Sequence, residues 1–125
     1  RETKRAMAAH PESRMHAAAE ENGAVDGRTA FIAAQRGDAA AQVVVDRYLD
    51  DLACGVANIV NIFFPEVVAL SGGIANQGEN LLAPLRREVS QQEYGAAYTA
   101  KHPRIACCTL GNTAGMIGAA MFAKG

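Results

Sequence analysis

Apolar positions along the chain fall into two rhythms. Val45, Leu49, Leu52, Val56, Ile59 and Phe63 recur at spacings of four, three, four, three and four, which is the stripe of one helix face. Residues 67–70, Val-Val-Ala-Leu, are instead an unbroken apolar run, the form of a strand covered on both faces. Asp38 suits the N-cap of the helix and Pro65 ends it, so a central core helix leads straight into a buried strand.

The remaining elements are read the same way. Residues 1–9 and 13–22 form two Ala-rich polar helices separated by Pro11, which cannot donate within a helix. Asn22-Gly23 and Asp26-Gly27 mark turns, and residues 29–36 form a short helix ending at Gly37. Leu81, Leu82, Leu85 and Val89 share one face of a helix over residues 80–92, and a second strand fits residues 104–110. After a turn at Gly111-Asn112-Thr113, residues 114–124 have the small and apolar side chains of a tightly packed helix. Alternating helices and strands imply an α/β layer, with residues 1–37 peripheral and residues 38–125 holding the core helix and strands. Gly55, in mid-helix, costs about 1 kcal/mol relative to alanine and predicts that another backbone passes close by.

Composition narrows the function classes. Half of the 125 residues are hydrophobic and the formal net charge is −1, so there is no basic excess for nucleic acid. The longest apolar stretch, residues 52–64, is interrupted by Asn58 and Asn61 and is shorter than the ~20 residues of a membrane span. Cys54, Cys107 and Cys108 fit neither a disulfide framework nor a zinc knuckle, and free thiols agree with a reducing cytoplasm. The chain opens at Arg1, with no initiating methionine or targeting segment, and reads as a fragment.

Candidate chemistry sits where the apolar run meets Ser71, Gly72 and Gly73. Paired glycines let a backbone approach a ligand, and α/β sheets place ligands beyond the carboxyl ends of their strands. A tight turn alone explains most such pairs. His10, His16 and His102 lack metal-ligand spacing and read as surface residues. Asp26 and Asp38 sit at turn and cap positions, and Asp46, Arg47, Asp50 and Asp51 on a solvated helix face.

The stretch from Asn58 to Ile74, with its helix, proline, strand and glycine loop, resembles the ROK-family sugar kinases. His10-Pro11-Glu12-Ser13, Asp26-Gly27-Arg28-Thr29-Ala30-Phe31, Gly37-Asp38 and residues 111–120 resemble the glucokinases of that family. The resemblance covers nearly the whole chain. It implies an α/β fold, the larger C-terminal lobe of the actin-like (ribonuclease H-like) ATPase fold, truncated, with the final helix crossing to a missing N-terminal lobe. It implies an ATP-dependent hexokinase, a glucokinase, using Mg2+ and glucose or a related hexose. With that lobe missing, Met116, Ile117, Met121 and Phe122 would form an uncovered apolar stripe, so the chain is expected to form homo-oligomers. The family's adenosine-binding glycine loop maps to Ser71, Gly72 and Gly73, with Ser71 where many members have a third glycine. The catalytic aspartate, phosphate loop, sugar-binding residues and zinc-binding cysteines of the family lie upstream, so this segment alone is expected to be inactive. The family also contains sugar-sensing repressors, whose DNA-binding helices would stand upstream of Arg1.

Overall fold

The computed structural model describes residues 1–95, 101–108 and 113–124. Its elements run α1 (Glu2–Ala9), α2 (Met15–Asn22), α3 (Gly27–Gln35), α4 (Ala39–Phe63), β1 (Val67–Leu70), a 3-10 segment (Gly73–Gln77), α5 (Glu79–Gln92), β2 (Arg104–Cys107) and α6 (Ala114–Lys124). No helix among the described residues is long and apolar enough to cross a membrane. The chain divides into two compact units, Arg1–Cys54 and Gly55–Gly125.

In the first unit, helix starts are fixed by short polar side chains. The Asp26 carboxylate accepts from Arg28 N at 2.8 Å, while Asp26 N donates back to Thr29 Oγ1 at 3.1 Å, a reciprocal cap that begins α3. The Arg28 guanidinium beside it, ahead of burial, holds the Asp26 carboxyl below its ordinary range. The core joins Met15 and Ala18 of α2 to Thr29, Ala30, Phe31 and Ala33 of α3. Alanines on both helices let the backbones approach. Phe31 meets Tyr48 edge to face, with ring centroids 6.1 Å apart, and burial raises the Tyr48 hydroxyl's pKa.

Helix α4 buries Ala41, Val45, Leu49 and Ala53 in the first unit, and Val56, Ala57 and Val60 in the second. The expected stripe holds through Val56 and then departs, because Ile59 and Phe63 are 47% and 74% exposed. Alanines decide the difference: they allow close approach without contributing a large apolar side chain, so a pattern weighted to bulky residues misses the line they form. Asp46, Arg47, Asp50 and Asp51 lie in solvent as expected. The close backbone expected at Gly55 is not found, since an added Cβ there would meet no described atom within 4 Å.

The second unit is organised by α5. Leu81, Leu82, Leu85 and Val89 are buried as one face, despite Pro84 inside the helix. Arg86 Nε and Nη2 donate to Ile105 O at 3.1 and 2.9 Å, tying α5 to β2. The Asn61 side chain donates to Gln92 O at 3.1 Å and accepts from Tyr94 N at 2.9 Å, so α4 holds the end of α5.

Strands β1 and β2 are parallel, pairing Val67 with Arg104 through Leu70 with Cys107. Two-sided coverage of β1 does not hold. Val67 and Ala69 are exposed while Val68 and Leu70 are half-buried, because α5 lies against one face of a sheet that has two strands among the described residues. Strand β2 is described to Cys107 and α6 spans Ala114–Lys124. Leu110, Gly111 and Asn112, expected to end the strand and form the turn, lie outside the described residues. Tight packing of α6 is also not found: Met116, Met121 and Phe122 are 71%, 72% and 91% exposed.

Candidate functional site

The apolar run becomes β1 because β-branched and aliphatic side chains fit a pleated surface, and Ser71, Gly72 and Gly73 follow it directly. Gly72 adopts φ +95° and ψ 175°, a conformation open to glycine and strained for residues bearing a Cβ. Its carbonyl accepts from Ala75 N at 3.1 Å, which starts the 3-10 segment at Gly73. Gly78 then accepts from Leu81 N and Leu82 N at 3.1 and 2.9 Å, launching α5. Strand, glycine loop and helix thus follow one another without a break.

Gly73 differs from its neighbour. Its backbone is not in the left-handed region, and a Cβ built on it meets nothing within 4 Å. Neither conformation nor packing among the described residues explains glycine there. Gly55, Gly115 and Gly118 are similarly open, but they lie within helices. Gly73 is at a strand's carboxyl end, where α/β sheets seat ligands.

The second strand ends at the same place. Cys108 N donates to Leu70 O at 2.7 Å, so Cys108 continues the parallel pairing into the position opposite Ser71. Sequence reasoning missed this neighbour, because pairing between strands more than thirty residues apart leaves no local signal. None of the three cysteines is in a disulfide; Cys54 is exposed, and Cys107 and Cys108 are half-buried.

Other candidate groups are engaged structurally. Asp38 Oδ1 accepts from Ala41 N at 2.8 Å, and Oδ2 accepts from Ser13 Oγ at 2.9 Å and Arg14 N at 2.6 Å. Burial raises its carboxyl's pKa, but these donors outweigh it and the net direction is down. Asp26 is the cap of α3. His10 and His102 are exposed and contact Glu12 and Glu93, each at 3.2 Å. His16 is half-buried rather than at the surface, with its ring nitrogen 3.1 Å from Met7 O. Among the described residues, no group of three or more His, Cys, Asp or Glu side chains could hold a metal ion.

Two concave regions lie elsewhere. In the first unit, a cleft of about 730 Å³ is lined in part by Arg5, His10, Arg14 and Arg47. Its charges answer one another, with Arg5 and Arg47 both at Glu2 and His10 at Glu12. In the second, a cavity of about 320 Å³ adjoins His102 and Arg104 at the amino end of β2, the end away from the glycine loop. Glu93 lines it with a side chain only 5% exposed, and its Oε1 has no partner among the described residues.

A mixed α/β unit with a glycine loop at the carboxyl end of a parallel strand is therefore the class that fold and site define. The chain belongs to the ROK family, whose sequence profile matches residues 5–125. It is 31% identical over 115 residues to the glucokinase of Halalkalibacterium halodurans, covering 92% of this chain and 34% of that protein. It is 37% identical over 99 residues to the glucokinase of Thermotoga maritima, covering 79% of this chain and 31% of the relative. The fold is shared with a ROK family glucokinase from Streptomyces griseus solved with glucose and AMPPNP. There the TM-score is 0.81 at 24% identity, over 98% of this chain and 40% of that one. The chain thus spans about a third of the length of the curated relatives it matches.

Proposed function

We propose that this chain is part of an ATP-dependent hexokinase, most closely a glucokinase, and that Ser71, Gly72 and Gly73 seat the adenosine end of ATP. The carrying observation is Gly73, a glycine at a strand's carboxyl end that neither its φ nor its described neighbours explain. Family membership and the glucokinase relatives support the reaction class.

On this reading the chain is the larger C-terminal lobe of an actin-like fold. Residues 38–125 form its core, and α6 crosses to an N-terminal lobe that supplies the phosphate loop, the sugar contacts and the catalytic base. That base takes the proton from the hexose C6 hydroxyl as its oxygen attacks the γ-phosphorus of magnesium-bound ATP, and the bond to the ADP oxygen breaks. Catalysis of this kind is mainly positioning and charge stabilisation. This segment contributes by holding the nucleotide in register with the sugar. The enzyme works in the cytoplasm as a homo-oligomer.

The test is a coupled assay for ADP release by the full-length protein, with glucose, mannose and N-acetylglucosamine as acceptors and magnesium present or chelated. Magnesium-dependent turnover, fastest with glucose, is expected. The 125-residue chain alone should give none. Absence of turnover with every hexose would remove the kinase reading.

A further inference from the structure

The parallel register places a second strand end beside the glycine loop. Leu70 pairs with Cys107, and Cys108 N reaches Leu70 O at 2.7 Å, so Cys108 is the lateral neighbour of Ser71 across the sheet. Side chains alternate between the faces of a strand. Ile105, 4% exposed, marks the face of β2 that is covered, and Arg86 of α5 bonds its carbonyl. Cys107 therefore shares the face of Ile105, and Cys108 takes the opposite one with Ala106. On the partner strand that opposite face carries Val67 and Ala69, both exposed. Cys108 thus stands at the carboxyl end of the sheet, on the face where Val67 and Ala69 are exposed, and is itself half-buried.

We infer that the carboxyl end of β2 forms the second wall of the nucleotide site, with the Cys108 side chain lying alongside the nucleoside held by Ser71, Gly72 and Gly73. The inference rests on the nucleotide reading of the glycine loop and adds to it a residue that no glycine motif includes. Adjacent parallel strands stand about 4.8 Å apart, whereas a nucleoside is roughly twice as wide. A nucleoside seated over the end of β1 therefore overlaps the end of the neighbouring strand. The apolar thiol suits a base or ribose edge better than a phosphate, since buried cysteine behaves as a small hydrophobe.

Thiol labelling of the full-length protein reads this directly. Tryptic cleavage after Arg104 and Lys124 releases residues 105–124, and fragmentation distinguishes alkylation at Cys107 from alkylation at Cys108. Saturating AMPPNP should slow maleimide labelling of Cys108 at least tenfold and leave the exposed Cys54 within twofold, and glucose alone should not protect Cys108. In addition, Cys108→Leu should raise KM for ATP several-fold with KM for glucose unchanged, and Cys108→Ser should retain near-normal KM values. If calorimetry shows AMPPNP binding but Cys108 labels at its unliganded rate, the inference is wrong while the glycine-loop reading stands. If AMPPNP binds equally well to wild type and Gly73→Val, the glycine-loop reading falls and this inference falls with it.

Discussion

Asp38 shows how much one carboxylate can organise when it is half-buried and fully used. Its two oxygens take hydrogen bonds from Ala41 N, Ser13 Oγ and Arg14 N, joining the start of α4 to the approach to α2. Ser13 is 7% exposed and its hydroxyl also accepts from Met15 N at 3.1 Å, so removing Asp38 leaves a buried hydroxyl without its acceptor. Loss of a helix cap together with charge-assisted bonds costs about 2 kcal/mol, and Asp38→Ala should lower urea-unfolding stability by that amount at pH 7. The pH dependence has a definite sign. The folded-state pKa is lowered, so the contribution is complete above the unfolded value of about 3.9 and fades as pH falls through the folded value. The difference between wild type and variant should therefore shrink in acid. A difference that is constant from pH 7 to pH 3 would mean that the carboxylate's charge is not what matters.

At the scale of elements, α5 was the most legible part of the chain. Its four large apolar residues at helical spacing leave one possible buried face, and all four are buried. Strand β1 was legible as a strand because of its composition, but its coverage was not. An apolar run reports what a strand prefers to contact, and which layers stand over it depends on segments far away in sequence. In α4 the alanines Ala41, Ala53 and Ala57 carry the buried line, and small residues give little periodic signal. The polar clamp from Asn61 to Gln92 and Tyr94 was invisible for the same reason as the Cys108 contact, because it joins residues about thirty apart. Asn61→Ala removes a donor and an acceptor used at the end of α5, which should cost about 1 kcal/mol. Hydrogen exchange offers a local check: the Tyr94 amide should lose protection in Asn61→Ala while the first turns of α5 keep theirs. Unchanged exchange at Tyr94 would show that this end of the helix is held by something else.

For the molecule as a whole, the glycine loop was legible as a candidate because glycine pairs at strand ends have a physical meaning, and its place at the end of β1 agrees with that reading. The surface around it was not legible, since exposure depends on packing between segments far apart in sequence. Ile59, Ile62, Phe63 and Val67 in the second unit, with Met116, Met121 and Phe122 of α6, leave large apolar side chains in water. Ile117, which the sequence groups with these α6 residues, has no described side-chain environment. Exposed apolar surface of this kind seeks cover, so the 125-residue chain alone should self-associate, with light scattering at tens of micromolar giving a dimer or larger species. A monomer with α6 packed on its own chain would contradict that expectation. The central claim is that the loop after β1 holds the nucleotide, and Gly73→Val in the full-length enzyme tests it most directly. A Cβ at Gly73 meets no described atom and its φ is outside the left-handed region, so folding should survive and any loss should come from the ligand. Initial-rate kinetics should show KM for ATP raised at least tenfold and KM for glucose within twofold of wild type, whereas equal changes in both, or none in either, would contradict the account.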